Sequence, residues 1–170
     1  MRSTFSKILD LGSVEHVLQP ANLRDGRLGI CTGCFDILQS GHAYFFEQCK
    51  QYCDALVVVV GKACNISKLK PGRPINPDSN RLYLLAALEA VDFAILGDDV
   101  YTNSKIDCVE FCDRVTPDVY IVNDDDSGLR EKQAFCDQRG IELVTVPRVV
   151  PEFLIPTSTT RIIEQAKLAE

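Results

Sequence analysis

Short apolar, β-branched runs alternate along this chain with longer stretches in which apolar positions recur at helical spacing. Leu28 to Thr32, Ala55 to Val60, Phe93 to Leu96, Val119 to Val122 and Glu142 to Val146 read as five strands. Between them the period changes. From Gly41 to Tyr52, the residues Tyr44, Phe45, Cys49 and Tyr52 fall on or near one stripe, which predicts an amphipathic helix packed on a sheet. Residues 79–90, SNRLYLLAALEA, are rich in helix formers with Ser79 as a cap, and Ser104 with Asp107 predicts the start of a helix carrying Cys108 and Cys112. A further helix is expected over Gly128 to Gln138, ended by Gly140, and a last one from Ser158 toward Lys167. The N-terminal part, with SVEHVLQ as a short helix, is expected to pack as an extension of about residues 1–26 on a single domain spanning 1–170.

Strands separated by helices run parallel with right-handed crossovers, so the order predicts an α/β fold: a Rossmann-like, doubly wound, five-stranded parallel sheet with helices on both faces. Ligands bind such sheets beyond the carboxyl ends of the strands, where the strand order reverses. The strands Leu28–Thr32 and Val119–Val122 are the expected flanks of that reversal, which places the loops GCFDILQSGH and NDDDSG at the ligand.

Composition sets outer limits. A chain of 170 residues buries about two-thirds of the surface its unfolded form exposes and needs no disulfide or metal to fold. No apolar run approaches the ~20 residues that span a bilayer, and Met1 to Asp10 lacks the apolar stretch of a secretory signal, so a cytoplasmic protein without a membrane partner is expected. Eight cysteines fit buried small hydrophobes in a reducing compartment: Cys49 and Cys53, like Cys108 and Cys112, share a helix face, and Cys31-x-x-Cys34 lacks the partners of a zinc tetrad. A formal net charge of −6 argues against nucleic acid as a partner. The basic residues are unevenly placed, however. Lys62, Lys68, Lys70, Arg73 and Arg81 lie within 20 residues that hold one acid, Asp78, as a local phosphate site would require.

Four segments, in order, resemble the cytidylyltransferase-like nucleotidyltransferases. TGCFDILQSGH resembles that family's G-x-F-D-x-x-H-x-G-H, LKPGRPINPDSNRLYLLAALEAVD its central basic stretch and helix, NDDD its fourth-strand loop, and TSTTRIIE its closing S-T-T-x-I-I. GRPINP and the lead-in KILDLGSVEHVLQ…RDGRLGICTGCFD are most similar to the branch that adenylylates heptose 1-phosphate in making ADP-heptose. The resemblance implies transfer of a nucleoside monophosphate from ATP or CTP, with Mg2+ accompanying the nucleoside triphosphate, to a phosphorylated sugar or polyol. Pyrophosphate is released, and a homodimer is implied. A phosphate monoester is largely an anion at neutral pH, its second pKa being about 6, so the reaction asks for positioning and electrostatic groups more than for a base.

The implied catalytic residues are His42, Gln39, Arg81 and Lys68. Thr32, Gly33, Cys34, Phe35, Asp36 and Gly41 would line the phosphate loop together with His42. Gly33 and Gly41 would let phosphates approach main-chain N–H groups. Asp36 would organise the loop or help hold a magnesium-bound phosphate. Arg81 and Arg148 would face the triphosphate, Asn123 and Asp125 belong to the fourth-strand loop, and Ser158, Thr159 and Thr160 would offer hydroxyls and free N–H groups to the β- and γ-phosphates.

Three departures stand out: the apolar segment VVPEFLIPT, Asn123 where glycine is common, and Gln39 where the family has histidine. Glutamine is a neutral donor of similar reach. Two other readings follow, a catalytically weak nucleotide-binding or regulatory protein on the same fold and a glycerol-3-phosphate cytidylyltransferase.

Overall fold

The computed structural model describes residues 3–18, 26–100 and 104–169. The strands are β1 (Ile8–Leu9), β2 (Leu28–Gly33), β3 (Ala55–Val60), β4 (Phe93–Leu96), β5 (Val119–Asn123) and β6 (Glu142–Val146). The helices are α1 (Val14–Val17), α2 (Ser40–Cys49), α3 (Ala63–Leu69), α4 (Asp78–Ala86), α5 (Val109–Arg114), α6 (Leu129–Arg139) and α7 (Thr159–Lys167). All six strands join one parallel sheet in the order β1-β4-β3-β2-β5-β6.

Central β3 is ALVVVV with every residue buried, as a parallel strand covered on both faces requires. Alternation divides its side chains. Val57 and Val59 join Val14 of α1, Phe111 and Cys112 of α5, and Phe135 and Cys136 of α6 in one core. Leu56, Val58 and Val60 pack with Phe46 and Cys49 of α2 and Leu82 and Leu85 of α4 in the other. The cysteines at 49, 53, 108 and 112 are all buried, as expected, but Cys53 lies past the end of α2 and Cys108 is the N-cap of α5, so neither pair shares a helix face; all eight are unpaired thiols, Cys64 being exposed and Cys34 half-buried.

The sheet has six strands rather than five. Ile8 and Leu9 of the N-terminal extension pair with Ala94 and Ile95 and cover what would be an exposed edge. Two residues carry too little alternation for a period of two to register in the sequence. Of SVEHVLQ, Val14–Val17 is helical and residue 19 lies outside the described residues.

Helix α3 falls in the basic stretch and was not expected. Its start is capped from a distance: the Asp78 carboxylate accepts the Ala63 N–H at 3.0 Å. Asp78 rather than Ser79 opens α4, with Pro77 at the N-cap, and Ser104 bonds Glu131 while α5 starts after Cys108. The other ends follow the expectations: Gly140 closes α6 at φ 69, and the Ser158 hydroxyl accepts the Arg161 N–H at 3.2 Å.

The reversal of strand order lies between β2 and β5. These two pair only at Gly29–Val119 and Ile30–Tyr120, whereas β2 follows β3 to Gly33–Val60 and β5 follows β6 to Asn123–Val146. Beyond Ile30 and Tyr120 the central strands therefore part, and their carboxyl ends open a crevice.

Candidate functional site

The loop leaving β2 is shaped by Phe35, a non-glycine residue with positive φ (45°), a conformation that stores of order 1–3 kcal/mol. Its ring lies over Gly33, where a Cβ would come within 2.7 Å of the ring. Packing under the Phe35 ring is therefore by itself a reason for glycine at position 33. The same ring packs edge-on against His42 (centroids 5.4 Å apart) and against Phe46 (5.1 Å), which fixes where the imidazole stands.

Asp36 organises the site from within. It is 2 % exposed, one oxygen accepting the backbone N–H groups of Ile75 (2.8 Å) and Asn76 (2.9 Å), while the other lies 3.5 Å from an Arg73 nitrogen. The first oxygen serves the loop-organising role, whereas the second is buried without a hydrogen-bond partner and faces only the Arg73 charge. Arg73 in turn donates toward the Thr160 hydroxyl at 3.4 Å, and the Thr159 hydroxyl donates to the Ile37 carbonyl at 3.3 Å. Three segments far apart in sequence are thereby tied together, with the N-terminus of α7 seated at the loop after β2. Nothing in the sequence singled out Asn76, whereas Arg73, one of the basic run, could equally be read as structural in a loop stiffened by prolines, and its contacts here are structural.

Arg81 occupies a different place from the one expected. It is fully buried, and its guanidinium donates to the carbonyls of Cys34 (2.7 Å) and Asn76 (3.2 Å) and to the Asp78 carboxylate (2.5 Å). All of these bonds point inward. Arg81 holds the loop after β2 against the loop before α4 instead of facing a triphosphate; an arginine in a phosphate-binding sequence context looks the same in either role.

At the mouth, α2 begins with Gln39 as N-cap, its side-chain oxygen accepting the Gly41 N–H at 2.5 Å. The space that glycine leaves open at position 41 is filled by this carboxamide, 2.8 Å from where a Cβ would lie. One turn in, His42 has a buried Nδ1 with no hydrogen-bond partner. Burial and the nearby Arg148 charge lower its pKa from 6.5 to about 4, so it meets a ligand as a neutral imidazole.

The opposite wall comes from β5 and β6. Arg148 grips the Asp125 carboxylate through Nε at 2.7 and 2.9 Å, and this pairing holds the Asp125 pKa below its usual value. Asp126 accepts from Gly128 N–H and from buried Lys132 (2.8 Å). Asn123 ends β5, and the Thr32 hydroxyl meets Tyr120 Oη at 2.8 Å behind the parting strands. Lys68 lies on the far side, its ammonium 3.1 Å from the Val100 carbonyl, near the Lys62–Asp99 ion pair. Gly41, His42, Arg148 and α7 with Ser158, Thr159 and Thr160 thus converge on the crevice, whereas Arg81 and Asp36 support it from below. Asp125 and Asp126 are committed to protein partners, and among the described residues no three His, Cys, Asp or Glu side chains are grouped so as to hold a metal ion.

Residues 30–165 match the model of the cytidylyltransferase-like family. The chain belongs to that family. Among its relatives are the bifunctional protein HldE of a Nitratiruptor species, 32 % identical over 163 residues, and that of Hyphomonas neptunium, 37 % identical over 145 residues. These alignments cover 94 % and 83 % of this chain but only 32 % and 27 % of the relatives, so the chain spans about a third of their length. The crystal structure of the lipopolysaccharide core biosynthesis protein from Thermoplasma volcanium superposes with a TM-score of 0.62 at 29 % identity, covering 74 % of this chain and 99 % of that one. Nucleotidyltransferases of this family need donors directed at phosphate charge. The unbonded His42 nitrogen, the α2 and α7 N-termini and Arg148 are the donor and cationic groups gathered at this crevice. Among the described residues no helix is long and apolar enough to cross a membrane.

Proposed function

We propose that this chain transfers a nucleoside monophosphate from MgATP or MgCTP to a phosphorylated sugar or polyol resembling heptose 1-phosphate. The observation that carries this reading is the orphaned, buried Nδ1 of His42 at the start of α2, in a crevice to which the N-terminus of α7 is tied by Thr159 and Thr160. A buried polar atom without a partner disfavours the free state and is relieved by a ligand that hydrogen-bonds to it. The heptose-like acceptor is supported by the four sequence segments and by the names of the relatives.

In the reaction, an oxygen of the acceptor phosphate forms a bond to the α-phosphorus while the bond to the bridging oxygen of the β-phosphate breaks. Pyrophosphate leaves with that electron pair. Neutral His42 donates a hydrogen bond to the transferring phosphate, and the α7 N-terminus with Ser158 and Thr160 receives the leaving group. Arg148 supplies positive charge that His42, with its pKa of about 4, does not. Lys68 stands on the acceptor side.

A second reading, a catalytically weak nucleotide-binding protein, is favoured by one observation: Gln39 already occupies the Gly41 N–H. The deciding measurement is pyrophosphate release from MgATP and MgCTP with heptose 1-phosphate, hexose 1-phosphates and glycerol 3-phosphate. Turnover is expected with a sugar 1-phosphate and exceeds that with glycerol 3-phosphate. Nucleotide binding without turnover on any of them sustains the second reading instead.

A further inference from the structure

One unusual carboxylate has no part in the reaction so far. Asp107 precedes the N-cap of α5 and lies over the carboxyl ends of the central strands. Its Oδ2 is 3.2 Å from where a Cβ on Gly61, just past β3, would be, and its backbone carbonyl is 2.5 Å from the same point on Gly97, just past β4. Gly97 tolerates no side chain while Asp107 stands there, and one at Gly61 would press on the Asp107 carboxylate. Gly61 in turn donates its N–H to the Gly33 carbonyl at 3.0 Å, so Asp107 is one strand away from the phosphate loop. Asp98 accepts the other constraint on this turn, its N–H donating to the Asp107 carbonyl at 2.7 Å and its carboxylate taking the Glu110 N–H at 3.0 Å.

The Asp107 carboxylate itself has no ion pair among those formed by the described residues. Lys132 of α6, the cation that faces it, is bonded to Asp126 at 2.8 Å. The remaining polar groups around it are Asp98 from the loop after β4, Tyr120 from β5 and the Cys108 thiol on its own turn. Burial raises its pKa from 3.8 to about 6, with Asp98 adding to the rise and Lys132 opposing it. A half-buried carboxylate kept away from its nearest cation costs stability, and such groups concentrate at sites that use them.

We propose that Asp107 is a specificity-determining residue whose carboxylate accepts hydrogen bonds from hydroxyls of a polyhydroxylated acceptor lying over the ends of β3 and β4. This rests on the reading of the chain as a nucleotidyltransferase. The geometry favours the acceptor because the groups directed at triphosphate, α2, α7 and Arg148, come from the loops after β2 and β6, while Asp107 and Lys68 belong to the β3–β4 side. A carboxylate repels phosphate and binds a diol, so it orients the acceptor with its phosphate toward His42 and its ring hydroxyls away. The ribose of the nucleotide offers the same diol chemistry and is the alternative that the experiment separates.

Calorimetric binding of mannose 1-phosphate and of each triphosphate to the full chain, with steady-state kinetics where turnover occurs, tests the assignment on Asp107→Asn and Asp107→Ala. Removing hydrogen bonds to a charged group weakens sugar-phosphate binding about 10- to 100-fold, with triphosphate affinity within about twofold. In the wild type the acceptor KM rises as pH falls through about 6, where Asp107 becomes protonated, and the difference from Asp107→Asn vanishes there. The acceptor phosphate titrates near the same pH but moves both proteins alike. Because ionising Asp107 is unfavourable in the fold, Asp107→Asn also melts above the wild type at pH 8, and the gap closes below pH 6; this identifies a folded variant. Unchanged sugar-phosphate binding in a folded variant overturns the proposal, as does a loss confined to ribonucleotide and absent for 2′-deoxynucleotide. Sugar-phosphate binding that depends on Asp107 without turnover overturns the transferase reading and leaves this one standing, whereas a wild type that binds no sugar phosphate overturns both.

Discussion

Gln39 shows why a residue can be identified correctly and its role still be missed. From the sequence it is a donor standing where the family has histidine. In the fold its acceptor end is the part in use, closing the α2 N-terminus over Gly41 at 2.5 Å. An amide carries both kinds of group, and only geometry selects between them. For a phosphate to reach the Gly41 N–H, the Gln39 oxygen must leave it, so nucleotide binding competes with an internal cap. N-caps are worth about 0.5–2 kcal/mol, which sets the size of that competition at about two- to thirtyfold. Gln39→His relieves it and adds a ring nitrogen at the reacting phosphate. The expected result is nucleotide affinity within several-fold of wild type and a higher kcat, measured by pyrophosphate release. A fall in kcat means that Gln39 is adapted to this protein's own substrate. At His42 the sequence located the residue, but its neutrality depends on the Phe35 ring and on Arg148, neither of which is adjacent to it in the chain.

Among the elements, those with a strong period were legible: β2 to β6 and the cores of α2, α4, α6 and α7 fall where the apolar pattern puts them. The missed ones, β1 and α3, are two and seven residues long and take their stability from partners elsewhere, β4 for the first and Asp78 for the second. The same holds at the site. Arg81 was legible as important but not as internal, because its partners are the carbonyls of Cys34 and Asn76, which any sequence contains. Its role predicts a stability defect in place of a binding defect. Arg81→Met removes the charged partner of the Asp78 carboxylate, which keeps the Ala63 N–H and is 29 % exposed, and takes the guanidinium donor from two carbonyls, each buried group left unpaired costing about 1–3 kcal/mol. Urea unfolding is expected to show that loss. In the folded fraction, triphosphate affinity measured by titration stays within about tenfold of the wild type, the loop after β2 being loosened and no direct contact removed. A triphosphate affinity lost a hundredfold or more at unchanged stability would restore Arg81 to the phosphate.

Across the whole molecule, the crevice is assembled by elements of unequal firmness. Central strand β3 and the two cores are buried, whereas α7 has no buried residue and is held at its start by the Thr159 and Thr160 contacts. Behind it lies an apolar hollow of about 230 Å³ lined by Ile37, Ile75, Ile162, Ile163, Ala166 and Lys167. A helix docked over unfilled space is stabilised less than its apolar content allows, because the lining atoms lack contacts on one side. If, as proposed, the N-terminus of the same helix receives the leaving phosphates, its docking and nucleotide binding are linked: whatever seats α7 raises affinity, and a bound triphosphate seats α7. Ala166→Leu extends an apolar side chain into the hollow without touching Ser158, Thr159 or Thr160. Cavity-filling changes commonly add about 0.5–2 kcal/mol. If part of that gain is realised only when α7 is docked, triphosphate affinity rises about two- to tenfold, and amide hydrogen exchange across Thr159–Lys167 slows in the variant before nucleotide is added. Wild-type exchange in the same helix slows on adding MgATP or MgCTP by more than the slowing seen in β3, whose amides are already protected. Exchange in α7 that is unchanged by nucleotide, in a protein that binds it, would show that this helix is a fixed wall and that the phosphates are held by α2 and Arg148 alone.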